Sequence, residues 1–126
     1  MKAILLVSHG SRSPKTKEEI SVLVNILRQL LPNEIVEFAF LEIEHPDIPE
    51  GIGRCVAQGA TEIVVTLNFL NAGRHVDQDI PAIVHAAKNK YPQIKFNITN
   101  PIGQHPKIPT LFIDTINNPS VPPSFL

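Results

Sequence analysis

The 126-residue sequence predicts an α/β fold in which a four-stranded parallel sheet carries helices on both faces. Three observations predict it. Residues 63–67, Ile-Val-Val-Thr-Leu, form the β-branched apolar run that a central parallel strand buried on both faces requires. Three further short apolar runs alternate with amphipathic stretches, the spacing of right-handed strand-helix-strand crossovers. Polar turns follow these runs where strand gives way to helix.

Residues 3–7 are the first strand, and Ser8-His9-Gly10-Ser11-Arg12-Ser13-Pro14 is the turn after it, with Pro14 suited to open a helix. Ile20, Leu23, Val24, Leu27, Leu30 and Leu31 then recur at intervals of three and four, which predicts an amphipathic helix with these residues inward. Pro32-Asn33 stops it. Residues 35–41 are the second strand, ending in the acidic turn Glu42-Ile43-Glu44-His45-Pro46-Asp47, and Ile48, Ile52, Cys55 and Val56 mark a short helix closed by Gly59. Beyond the strand at 63–67, Asp79-Ile80-Pro81 reads as a helix start, which leaves His75 in the preceding turn. That helix runs to about Tyr91, with Ile80, Ile83, Val84 and Ala87 inward. Residues 94–98 are the fourth strand, Asn100 to Pro106 a further turn, and residues 107–116 a last short helix. Residues 1–116 thus form one domain, and residues 117–126, with three prolines in ten positions, a loose tail.

Four strands in this arrangement predict a flavodoxin-like three-layer sandwich of order 2-1-3-4. The first and third strands then lie side by side at the switch point, and the turns bearing His9 and His75 meet above their carboxyl ends. Ligands of open α/β sheets bind at that rim.

A formal charge of −1 excludes a generally basic nucleic-acid binder and gives no sign of a polybasic membrane anchor, so an anionic partner has to be met by a local cluster. The single cysteine, Cys55, excludes an intramolecular disulfide and leaves the redox compartment open, with a reducing cytoplasm as the default expectation. The apolar start of the chain is too short for a signal peptide and reads as the first strand.

His9, Glu42 and His75 carry the chemistry. Two imidazoles and a carboxylate at neighbouring strand ends can hold a divalent metal such as cobalt, nickel or iron, and can accept protons near neutral pH. So few protein ligands leave coordination positions open, which suits a metal that reacts or moves on. Arg12 and Arg74, each within three residues of one of these histidines, offer paired donors to a carboxylate or phosphate. Lys15 and Lys17 read as solvated charge, His85 as a surface residue and Cys55 as core. Asp77 or Asp79 can orient His75 through its second ring nitrogen, but an aspartate at a helix start is explained as well by capping, and Asp79 is assigned to a cap.

Four stretches together resemble the short sirohydrochlorin chelatases: Val7-Ser8-His9-Gly10-Ser11-Arg12, Phe40-Leu41-Glu42, Phe69 to Val76 with Asp79-Ile80-Pro81, and Pro101-Ile102-Gly103-Gln104-His105-Pro106. The resemblance implies an enzyme that inserts cobalt, nickel or iron into a metal-free isobacteriochlorin bearing eight carboxylates, on a route to cobalamin, sirohaem or the nickel cofactor of methanogenesis. It implies that His9 and His75 bind the metal and accept protons, that Glu42 assists, and that Arg12, Arg74, Ser11, Asn71 and Gly73 meet the substrate. The divalent metal is then a substrate, with no permanent cofactor. Because longer relatives bind substrate between two such domains, one domain implies a homodimer. A non-catalytic metal or tetrapyrrole carrier is the alternative, and a flavin or phosphate binder is disfavoured by a first turn of histidine and arginine.

Overall fold

In a computed structural model, residues 1–125 are described; Leu126, the last residue of the expected tail, lies outside them. The chain runs β1 (Lys2–Ser8), α1 (Pro14–Leu30), β2 (Ile35–Phe40), α2 (Ile48–Ala57), β3 (Glu62–Leu67), a π turn (His75–Asp79), α3 (Ile80–Lys90), β4 (Lys95–Ile98) and α4 (Ile108–Asn117), with short 3₁₀ turns at Ile102–Gln104 and Pro123–Phe125. The four strands pair in parallel in the order β2-β1-β3-β4, as the sequence predicts. The strands alternate with the helices, and every crossover returns the chain to the same edge of the sheet, so all four carboxyl ends form one rim.

The two faces are covered unequally. On one, Leu5, Val7, Ile63, Val65 and Leu67 pack against Ile48, Ile52 and Cys55 of α2 and Ile80 and Val84 of α3, a continuous core. On the other, α1 covers Leu6, Val36 and Phe40 with Ile20 and Val24, which is the β1–β2 half only. This corrects two expectations. β3 is not buried on both faces: Ile63, Val65 and Leu67 are buried, whereas Val64 and Thr66 are half-buried. Nor do all the periodic leucines of α1 point inward, for Leu23 is 39% and Leu30 70% exposed. Both errors share one cause, a helix that spans two strands where four are available.

The segment after β3 holds a feature that the sequence does not predict. α3 begins at Ile80 with Asp79 at its N-cap position, as Asp79-Ile80-Pro81 predicts, but helical backbone precedes it, from Arg74 through the π turn, and Val76, buried among the α2–α3 core residues, anchors that turn. α4 forms where a short helix is expected but buries none of its residues, and Leu111, Phe112, Ile113 and Ile116 are each more than half exposed. Among the described residues no helix is long and apolar enough to cross a membrane.

Candidate functional site

The parallel ladder continues past the strand ends and builds the rim. The Asn68 amide donates to the Val7 carbonyl, the Leu41 amide to Ser8, and the Glu42 amide to His9, so the residues after β1, β2 and β3 remain in register. Ser8 is buried, and its hydroxyl accepts a hydrogen bond from the Asn68 side chain at 3.0 Å, tying β1 to β3 just beneath the rim.

Glycine lets two of these turns approach closely. Gly10 adopts φ +105°, and a Cβ there would lie 1.9 Å from the Glu42 carbonyl oxygen. A Cβ on Gly103 would lie 1.9 Å from the carbonyl oxygen of Leu70, because the Gly103 amide donates to Phe69 and so braces the loop leading to His75. Only a residue without a side chain fits either place. Ile43, next to Glu42, is the one non-glycine residue with positive φ among the described residues, at 73°, an unfavourable conformation for a β-branched side chain.

His9, Glu42 and His75 come together on this frame. A ligand atom from each lies within 4.8 Å of the other two, close enough for one cation to reach all three. His9 Nε2 stands 2.5 Å from Glu42 Oε1. The two imidazole rings meet edge to face with centroids 5.3 Å apart, and Phe69 packs beside His9 at 6.4 Å. All three side chains are about half exposed, so a ligand can enter without unfolding anything. A carboxylate accepts hydrogen bonds, so His9 Nε2–H donates to Glu42, and a cation placed between them has to expel that hydrogen.

Beside this cluster, Ser11, Arg12, Pro14, Lys17, Ile43 and Glu44 line an open cavity of about 810 Å³, in the range that holds a large organic ligand. Arg12 therefore edges a space into which it can offer its guanidinium. Ser11 is engaged locally: its amide donates to Glu44 Oε1 at 2.7 Å and its hydroxyl accepts from the Ser13 amide. Asn71, Gly73 and Arg74 are exposed on the loop before the π turn, where the Gly73 carbonyl accepts from the Asp77 amide.

Asp79 departs from the sequence reading. It makes no cap; its Oδ2 lies 2.7 Å from Nδ1 of His75. The i, i+4 spacing was the available signal. A second group, His45, Asp47 and Glu50, also has ligand atoms within 4.8 Å of one another, but its acids are occupied. Asp47 accepts from the Glu50 amide, and Glu50 accepts from the Asp47 amide and from His45 Nδ1, a capping box at the start of α2. The His45 hydrogen bond is the first of the contacts that hold the Glu50 carboxyl below the usual glutamate range. Cys55 lies in the core as expected, and burial pushes its thiol up to about 12.

Fold and rim thus define a parallel α/β domain with an imidazole–carboxylate cluster able to take a divalent cation at its switch point. The chain belongs to the CbiX family, whose model matches residues 3–118. It is 40% identical over 107 residues to a sirohydrochlorin cobaltochelatase of Priestia megaterium, covering 83% of this chain and 34% of that protein. It is 34% identical to the chloroplastic sirohydrochlorin ferrochelatase of Arabidopsis thaliana, over 91% of this chain and 49% of the relative. In structure it resembles the sirohydrochlorin chelatase SirB of Bacillus subtilis subspecies spizizenii in complex with cobalt, with a TM-score of 0.84 and 32% identity, over 92% of this chain and 50% of that one. The chain therefore spans between about a third and about half the length of these relatives.

Proposed function

We propose that the protein is a sirohydrochlorin chelatase, an enzyme that inserts a divalent metal, cobalt foremost, into the metal-free macrocycle. The observation that carries this reading is the His9–Glu42–His75 cluster, with its donors within 4.8 Å on an exposed rim. Insertion removes two protons from pyrrole nitrogens and passes a cation to the ring, so it needs bases that work near neutral pH and a metal site that lets go. Neutral imidazoles meet both needs, and an incomplete ligand set leaves positions for the macrocycle's nitrogens. His9 and His75 hold the metal and take up protons, and Glu42 assists at His9. Arg12 and Arg74, with Ser11, Asn71 and Gly73, receive the carboxylates of the substrate. The metal is consumed as substrate and no resident cofactor takes part. Imidazole and carboxylate donors accept cobalt, nickel and iron alike, and the 40% identity to a cobaltochelatase favours cobalt. Residues 1–116 form the working domain, which acts in the cytoplasm, and residues 117–126 its tail.

The working unit is a homodimer. One domain presents a single rim, whereas a macrocycle needs walls on both sides. α4 supports the pairing, because a ten-residue helix with Leu111, Phe112, Ile113 and Ile116 turned to solvent has too few contacts to hold itself. A second copy covers it at least expense, since symmetric pairs are the commonest assemblies.

The test is purified protein mixed with sirohydrochlorin and cobalt(II), nickel(II) or iron(II) in turn, following loss of the metal-free absorption spectrum. Catalytic turnover is expected, fastest with cobalt. Stoichiometric binding without turnover would make the protein a carrier instead. Sedimentation at micromolar concentration is expected to show a dimer, and Leu111→Asp/Phe112→Asp a monomer with reduced activity; a fully active monomeric parent would remove the pairing.

A further inference from the structure

The π turn His75–Asp79 is closed by a hydrogen bond from the Ile80 amide to the His75 carbonyl. Such turns pack less well than an α-helical turn and recur where function needs a displaced side chain. Here the widened turn sets Asp79 against His75, with Oδ2 2.7 Å from Nδ1. Capping does not explain the contact, since Asp79 caps nothing, and burial does not force it, since both side chains remain over two-fifths exposed. A carboxylate acceptor requires the hydrogen of the ring to sit on Nδ1. A neutral imidazole with its hydrogen on Nδ1 carries its lone pair on Nε2, the only form of His75 that can bind a cation while Asp79 holds the other nitrogen.

We infer that Asp79 is the positioning residue for metal capture: it fixes the ring of His75 and its tautomer, keeping Nε2 open to the cation. The inference rests on the proposal that His75 takes the metal. Partners of this kind typically govern 10- to 100-fold in metal affinity, through ring orientation and donor strength.

The test is titration of the intact chain with cobalt(II) against a competing colorimetric chelator, comparing the parent with His75→Ala, Asp79→Ala, Asp79→Asn and Asp77→Ala. Asp79→Ala is expected to weaken cobalt(II) binding about 10- to 100-fold. Asp79→Asn, nearly identical in shape, is expected to weaken binding as well, because a neutral amide that can turn either its oxygen or its NH2 to Nδ1 no longer fixes the ring hydrogen there. Asp77→Ala, which removes an exposed carboxylate from the same turn, is expected to leave affinity unchanged. In turnover, the KM for cobalt(II) rises in both Asp79 variants while that for sirohydrochlorin stays put. Ring ¹⁵N shifts of His75 in the metal-free protein read the tautomer directly, with the hydrogen on Nδ1 in the parent. Asp79 variants that bind cobalt(II) like the parent overturn the inference, and so does an Asp77→Ala loss equal to theirs, which would make the effect one of overall charge. If His75→Ala itself binds normally, the proposed metal site fails, and that outcome is distinct from a failure of Asp79 alone.

Discussion

His9 and His75 stand with their rings 5.3 Å apart, yet the chain holds them by different means. His9 pairs with a carboxylate 33 residues away, so its position depends on the register of β1 with β2 and on the close approach of Gly10 to Glu42. His75 pairs with Asp79 four residues on, inside one turn whose anchor is Val76. The nitrogens differ too: His9 commits Nε2 to a carboxylate of the ligand set, whereas His75 commits Nδ1 to one outside it. In the proposed metal site one ligand is therefore already open and one is closed by a hydrogen. In the proposed role, local pairing leaves a histidine ready to receive a cation, and long-range pairing makes a site that would release a proton as the cation enters.

The largest expected effect breaks this asymmetry at the open ligand. His75→Ala abolishes insertion, while His9→Ala and Glu42→Ala each lower turnover about 10²-fold or more, the usual range for a lost general base. All three residues are exposed, so circular dichroism should report an intact fold. A His75→Ala enzyme with most of its activity would reverse the ranking. Protons read the same difference. Cobalt(II) affinity falls as pH is lowered, because imidazole binds metal only when neutral and the His9–Glu42 hydrogen has to leave. Affinity that stays flat from about pH 8 to about pH 5 would exclude histidine ligands.

Next in size are the two glycines, which perturb one histidine each. Gly10→Ala pushes the Glu42 carbonyl away and also places alanine at positive φ, so it opens the His9–Glu42 pair. Gly103→Ala collides with Leu70 and displaces the loop before His75. Each change is expected to destabilise by about 2–4 kcal/mol, the range of substitutions that force backbone to move. Denaturant melts check the stability. Only Gly10→Ala should lengthen the His9–Glu42 contact, and a crystal structure of each variant checks that.

Strand order and the gathering of His9, Glu42 and His75 were legible because the strands are short apolar runs and the polar turns fall at their ends, which leaves few topologies to consider. The coverage of the faces was not. Leu23 and Leu30 keep the period of an inward stripe, but the period records only that a helix has an apolar side, and nothing in it says that α1 reaches two strands. The π turn was hidden for a similar reason. Residues 75–79 hold one apolar side chain, Val76, so no periodicity separates an i→i+5 hydrogen bond from an i→i+4 one. Spacing from Pro81 suggests a cap for Asp79 as readily as its i, i+4 spacing from His75 suggests the pair, and side-chain geometry decides between them.

The smallest expected effect sharpens the comparison, because backbone strain is stored on one side of it alone. Ile43 follows Glu42 at φ 73°, whereas the residues flanking the π turn, Arg74 and Ile80, have ordinary right-handed helical backbone. Holding a β-branched residue in that region costs about 1–3 kcal/mol, while glycine there forfeits roughly 0.5–1 kcal/mol through the greater freedom of its unfolded chain. The side chain is 57% exposed, so its removal sacrifices little packing. Ile43→Gly is therefore expected to stabilise the protein by about 1 kcal/mol, read as a rise of a few degrees in Tm. The same substitution loosens the segment that presents Glu42, so cobalt(II) affinity should fall slightly in the parent and not at all once Glu42 is already alanine. A Tm that stays level or drops would mean that Ile43 is held by contacts that repay its conformation, and the long-range pair would then be no more strained than the local one.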